Sequence, residues 1–261
     1  MLKLYDHPLS PYAQKVRIAL REKGVPFVAA LPDGLGAGGA AGEFAKANPR
    51  AEVPALIDGE VGIFDSTIIL EYIEDKWPSP ALLPASPADR ARVRMIEDVM
   101  DTHYEAINWA IGEIEWFKRA VGSQAETLKA TAARQTAGYF SWLERELGDR
   151  TWFNGEDFGW GDLCVVPYVA ASAAMGNMPA AGSRLLAWLE RGLARSSVAD
   201  TVAEARGFDR DGSDLPDMLA RGLFKREFRD HRLEWMMKSG GVQIVLDGLK
   251  AGNIRFSPDL T

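Results

Sequence analysis

Three short segments in the first seventy residues carry residue types that can hold and polarise a bound ligand. Ser10 is followed by Pro11 and then by an amphipathic run. Serine is a preferred helix N-cap and proline a preferred first helical residue. The same geometry sets a hydroxyl at a positively polarised helix end, where a thiol loses its proton more readily and a hydroxyl hydrogen bond favours the thiolate. Val53-Pro54 stands at the start of a predicted strand. A proline there has no N–H for the sheet ladder and marks an edge, a first residue or a cis bond. A cis bond would turn the Val53 backbone outward to pair with an extended peptide. Asp65-Ser66 precedes another helical run. Ser66 and the N–H groups after it are suited to a carboxylate, and Asp65 to a charged amine. Each segment also has an ordinary structural reading, as a helix cap or a loop-to-strand proline. A ligand with a free amino acid at one end, a peptide-like middle and a thiol would satisfy all three together.

The elements that must position these residues follow from periodicity. Residues 2–6 alternate like a short strand, and PYAQKVRIALREKG reads as a helix ending at Gly24. Val25 to Leu31 is a second apolar run, followed by a glycine-rich stretch, DGLGAGGAAG, read as a mobile surface loop. EFAKANP is a short helix, VPALIDGEVGIFD two strands joined at Asp58-Gly59, and TIILEYIEDKW a helix closed by Pro78. The order is βαβαββα. Prolines crowd residues 78–87, and beyond them the pattern turns helical, with Val93, Ile96, Met100, Ile107, Ile111 and Ile114 forming one apolar stripe. Further helices are expected over Glu126 to Leu147, within FGWGDLCVVPYVAASAAMG, and over Leu185 to Leu193. From Gly207 a Gly/Asp/Pro linker leads to a charged helix over Met218 to Met237, a Gly240-Gly241 break and a last short helix. The expected divisions are an α/β domain over 1–80, an all-helical domain over 89–205 and a helical extension over 206–261.

Composition narrows the function. With 261 residues, 47% of them hydrophobic, the chain can bury a sizeable core. Thirty Lys and Arg against 37 Asp and Glu give a net charge of −7 without a basic tract, which argues against nucleic acid or an anionic membrane as partner. The first residues lack the apolar core of a signal peptide, and no run of about 18 apolar residues follows, so a cytoplasmic protein outside the membrane is expected. The single cysteine, Cys164, lies in an apolar stretch and reads as a buried hydrophobe. His7, His103 and His231 have no metal-ligand spacing, so no metal is expected.

HPLSPYAQKVRIALREKG, NPRAEVPALIDG and DSTIILEYIEDKWP together resemble the thioredoxin-like, glutathione-binding domain of soluble glutathione transferases, densely over residues 1–85. FGWGDLCVVP resembles the family's buried-helix motif around a structural Asp, here Asp162, with Gly159 where the family carries a capping Ser or Thr. The resemblance implies a thioredoxin-like domain followed by an all-α domain, with glutathione as cosubstrate. By similarity to serine-type members, Ser10 activates the thiol, Val53 is the backbone partner of the cysteinyl unit, and Asp65 with Ser66 holds the γ-glutamyl end. A small hydrophobic electrophile, a detoxification role and a homodimer are implied in the same way.

The second-substrate side is expected between the first domain and the opening helices of the second. Candidates are Tyr12, His103, Tyr104, Asn108 and Ile111, with Trp109 and Trp116 as neighbours. The C-terminal segment with Trp235, Met236, Met237 and Phe256 reads either as a lid or wall, or as a packing extension or dimer contact. Its added length and the Ser-Pro-Tyr motif resemble bacterial β-etherase-type members. Two alternatives to thiol transfer stay open: a glutathione-dependent lyase, isomerase or dehalogenase, and a non-catalytic binding or assembly protein. Glu52, where the family often carries Gln or Lys, supports the second.

Overall fold

The computed structural model describes residues 1–36, 41–208, 214–223, 225–228 and 230–254. The chain opens with β1 (Leu2–Tyr5), α1 (Pro11–Glu22), β2 (Phe27–Ala30), α2 (Gly42–Ala47), β3 (Ala55–Asp58), β4 (Val61–Phe64) and α3 (Ser66–Lys76). The four strands form one sheet in the order β2-β1-β3-β4, with β2 parallel to β1 and the other two pairings antiparallel. The parallel pair needs a crossover, which α1 supplies. The turn between β3 and β4 passes through Gly59 at φ 62°, a left-handed conformation that glycine adopts without strain. This is the thioredoxin-like order expected from the sequence. Its register aligns Ala30, Tyr5, Ala55 and Phe64 in one row across one end of the sheet.

The remainder is helical: α4 (Pro87–Val99), a π-helical turn (Met100–Tyr104), α5 (Glu105–Glu115), α6 (Gly122–Leu147), α7 (Trp160–Ala174), α8 (Arg184–Leu193), α9 (Ser196–Phe208), α10 (Leu215–Ala220), α11 (His231–Lys238) and α12 (Val242–Ala251). Two features differ from the sequence reading. Helix α9 follows α8 after only Ala194 and Arg195, and it packs on α1. The charged helix expected over Met218 to Met237 is interrupted: α10 ends before Gly222 at φ 69°, and α11 starts afresh with the Asp230 carboxylate accepting from the Leu233 N–H. Residues 37–40 of the glycine-rich stretch, and Phe256, lie outside the described residues.

Sheet and helices share one apolar core, in which Leu4, Val16, Leu56 and Ile69 meet Val93, Ile96, Met100 and Val165. Across that boundary runs a buried polar cluster. The Lys15 ammonium, without solvent exposure, lies 2.6 Å from Glu97 and 2.5 Å from Asp101. Thr67 and the Trp160 indole N–H also donate to Glu97, and the Tyr168 hydroxyl donates to Asp101. Burial alone would lower the Lys15 pKa, but the two carboxylates outweigh it and raise it. Arg17 pairs with Asp6 and Glu204, and Arg195 with Ser197 holds Glu22, so α9 is tied to α1 along its length.

The fully buried Asp162 organises the start of α7. It accepts from the main-chain N–H groups of Phe153, Asn154 and Gly159 and from the Trp188 indole. Burial pushes its pKa up to about 6, against the pull of these donors, which favour the ionised form. Gly159 has a steric reason. A Cβ there would stand 2.0 Å from Asn154 Nδ2 and 2.3 Å from the Leu82 carbonyl. Asn154 takes the place of a capping hydroxyl: its Oδ1 accepts from the Gly161 N–H, and its Nδ2 donates to Leu82.

Candidate active site

Ser10 caps α1. Its Oγ accepts from the Ala13 N–H at 3.3 Å, its carbonyl takes the Gln14 N–H, and its own N–H donates to the His7 carbonyl. The hydroxyl thus serves the helix as an acceptor, and its proton is a separate resource for a ligand. The preceding loop is held from two directions. His7 Nδ1 accepts the Leu9 N–H at 3.2 Å, which fixes the proton of the neutral ring on Nε2, and the ring meets Phe208 at the end of α9 edge-on. Burial first, and then the nearby Arg17 charge, lower the His7 pKa.

Val53 lies two residues before β3, and the Val53–Pro54 bond is cis. Its loop is shaped by the buried Asn48, whose Nδ2 donates to the Glu52 carbonyl and whose Oδ1 accepts from the Arg50 N–H. This role of Asn48 is not legible in the sequence, because a side chain that bonds the next few main-chain groups leaves no periodic trace.

Asp65 rather than Ser66 caps α3. Its Oδ1 accepts from the Thr67 and Ile68 N–H groups at 3.0 and 3.3 Å, and its backbone has a positive φ of 74°. The N–H groups expected to receive a ligand carboxylate are therefore taken by Asp65 itself. What remains at this end is the Ser66 residue and the second Asp65 oxygen, which faces the Arg50 guanidinium at 4.0 Å. Arg50, Phe64, Asp65 and Ile68 line a depression of about 510 Å³ beside β4.

The row Ala30–Tyr5–Ala55–Phe64 unites these segments. Ser10 follows β1, Val53 precedes β3 and Asp65-Ser66 follows β4, all at the same end of the sheet. Strands stand about 4.8 Å apart, so β1 and β4, with β3 between them, are separated by roughly 10 Å. An extended tripeptide has about that length.

The residues expected on the second-substrate side divide. The Tyr12 hydroxyl donates to the Asp101 carbonyl at 2.8 Å, joining the start of α1 to the π-helical turn, where the Glu105 N–H reaches back to the Met100 carbonyl. His103 is half-buried beside Thr102. Tyr104, by contrast, is wholly buried among Tyr139, Phe140 and Tyr168, and donates to Ser172. Ile111 is in the core, and Asn108 ties α5 to the Tyr168 carbonyl and the Ser172 hydroxyl of α7. Tyr104 and Ile111 thus fill the core, and Asn108 tethers α5 to α7. Trp116 folds over Gly112 of its own helix, where a Cβ would come within 3.0 Å. Trp109 instead receives Phe228 edge-on at 4.5 Å and the Arg226 guanidinium at 4.7 Å. More than a hundred residues separate these partners, so local pattern could not pair them.

Among the described residues no group of His, Cys, Asp and Glu is arranged to hold a metal, and no helix is long and apolar enough to cross a membrane. Cys164 is buried, and burial raises its pKa well above the usual value.

A four-stranded thioredoxin-like sheet with helix-capping polar residues at one end, followed by a helical domain, defines a class of thiol-handling proteins. Comparison with known proteins makes this specific. Residues 4–81 match the family model of the glutathione S-transferase N-terminal domain and residues 114–191 that of the C-terminal domain. Glutathione S-transferase U28 of Arabidopsis thaliana is 32% identical over 77% of this chain and 88% of its own length. The Stringent starvation protein A homolog of Coxiella burnetii is 26% identical over 80% of this chain and 97% of its own. A rice glutathione transferase solved in complex with glutathione superposes with a TM-score of 0.68 at 27% identity, covering 83% of this chain and 96% of that one. The chain belongs to the glutathione S-transferase family and is a glutathione transferase-like enzyme.

Proposed function

We propose that the protein binds glutathione across the end of its sheet and activates the thiol at Ser10 for attack on an electrophilic carbon of a small hydrophobic molecule. The observation that carries this reading is the convergence of Ser10, Val53 and Asp65-Ser66 on one row of the sheet, over about the span of an extended tripeptide. In this reading the Val53 main chain pairs with the cysteinyl unit. Asp65 accepts the γ-glutamyl amine, and Arg50 beside it takes the carboxylate together with Ser66. The hydroxyl proton of Ser10 is shared with the sulfur, and the α1 N-terminus stabilises the negative charge. Reaction follows by displacement: the thiolate forms a bond to carbon, and the leaving group departs with its electron pair. Fixing both reactants supplies much of the rate. We place the protein in the cytoplasm as a homodimer, and exposed Val61 and Ile68 offer an apolar contact near β4.

Ultraviolet difference absorbance of bound glutathione across pH tests this, because thiolate absorbs where thiol does not. The expected result is a bound-thiol pKa below about 8.5 that rises in Ser10→Ala. Turnover should fall at least about tenfold, against a stability loss of about 1 kcal/mol for the missing cap. Binding with an unshifted thiol would instead support a non-catalytic binding protein. Product analysis separates simple transfer from lyase, isomerase or dehalogenase chemistry, in which the same thiolate adds and later departs.

A further inference from the structure

The loop between β1 and α1 is held largely by one of its own residues. His7 uses its ring and its main chain together: Nδ1 accepts the Leu9 N–H at 3.2 Å, and the carbonyl accepts the Ser10 N–H at 2.9 Å. The Pro8 carbonyl takes the Gln14 side-chain N–H at 2.7 Å, which closes the loop onto α1. Phe208, the last residue of α9, meets the His7 ring edge-on with centroids 4.6 Å apart. The charged groups of the elements around the ring are committed elsewhere. Asp6, its neighbour in the chain, is buried and takes two bonds from Arg17 of α1, and Glu204 of α9 is shared between Arg17 and Arg21. Arg206, in the last turn of α9, is exposed. Neither of these carboxylates is free to balance a positive charge on His7, and Arg17 opposes one. Protonation at Nδ1 would set a second N–H against the Leu9 N–H. An acceptor becomes a donor, the bond that shapes the loop is lost, and the cation stands in a partly buried site beside Arg17.

We propose that His7 is a positioning residue for Ser10: its neutral ring holds the loop that sets the hydroxyl at the start of α1, and protonation releases that loop, so mild acid disarms the site. This rests on the glutathione reading above for the activity controlled, though not for the change in the loop. His7 acts only through the main chain of Leu9 and Ser10, so it shapes the site without entering the reaction.

Two variants separate the acceptor from the ring. In His7→Asn the amide oxygen takes the place of Nδ1 and does not titrate, whereas His7→Phe keeps a ring and loses the acceptor. The first measurement needs no ligand. In the natural protein the Leu9 and Ser10 amide NMR signals should move with the same midpoint as the His7 ring signals, below about 6.5, and in His7→Asn they should stay still. Leu9 and Ser10 signals that ignore the ring overturn the proposal whether or not glutathione binds. The second measurement is turnover of chlorodinitrobenzene at saturating glutathione, with thiolate absorbance recorded beside it. The ratio of kcat at about pH 5.5 to kcat at about pH 7.5 should be at least about threefold higher in His7→Asn than in the natural protein, with the two alike at the higher pH. His7→Phe should be slow throughout and lack the extra loss in acid. An equal acid loss in the natural protein and His7→Asn overturns the proposal, because the thiol alone then accounts for it. Absence of thiolate in the natural protein at the higher pH would instead defeat the glutathione reading, leaving the amide titration to decide the role of His7.

Discussion

Helix α1 and the pair α11–α12 sit at opposite extremes of this molecule. Around α1, charged groups are buried and matched: Lys15 by Glu97 and Asp101, Arg17 by Asp6 and Glu204. In α11–α12, apolar side chains face outward, with Trp235 65% and Ile244 67% exposed, and the charges are surface pairs such as Lys238 with Glu234. The difference teaches where a substitution acts. A buried ion is held by its partners and becomes costly when one is removed, whereas an exposed Ile contributes little to folding.

The largest test of this contrast is Lys15→Met, which strands two buried carboxylates. A loss of about 3–5 kcal/mol is expected, measured by urea denaturation, and a loss below about 1 kcal/mol would show that Glu97 and Asp101 find water or protons instead. Gly159→Ser sharpens the comparison at the other buried polar centre. Serine is ordinarily the better cap by a few tenths of a kcal/mol, but here its Cβ meets Asn154 and the Leu82 carbonyl, so the melting temperature should fall by the equivalent of about 1–3 kcal/mol.

His7 provides a smaller, pH-dependent test. Its pKa is lowered on folding, so the folded state favours the neutral ring. The stability it contributes is present above the unfolded value near 6.5 and is lost as pH falls through the folded one. His7→Gln should flatten that part of the pH–stability curve, and an unaltered slope would mean that the ring is solvated. The smallest effect is expected for Ile244→Ser, within about 0.5 kcal/mol. A clear loss of stability there would break the comparison by showing that α12 is packed against a partner.

The βαβαββα order was legible because its punctuation is local: Ser10-Pro11 starts α1, Asp58-Gly59 turns β3 into β4, and Trp77-Pro78 ends α3. Other parts were hidden for physical reasons. Tyr104 and Ile111 carry the same apolar signal whether they line a cleft or fill a core, so periodicity could not assign them. Asp65 and Ser66 are both good caps, and which one bonds the helix is decided by a positive φ that neither residue type announces. The interrupted charged helix depended on Gly222 adopting a left-handed turn, a choice weaker than the run of helix formers around it. Arg226 became informative only once the fold had brought it to Glu113.

The π turn at Met100–Tyr104 has a consequence for engineering. It amounts to one residue more than a regular helix would hold, and each residue of an α-helix turns the chain by about 100°. Deleting Thr102 would close the widened turn and swing Trp109 and Glu113 away from Arg226 without altering any of those three side chains. A single deletion in one helix would thus undo a contact made more than a hundred residues away, making the turn a dial on tertiary pairing that evolution or design can move in one step.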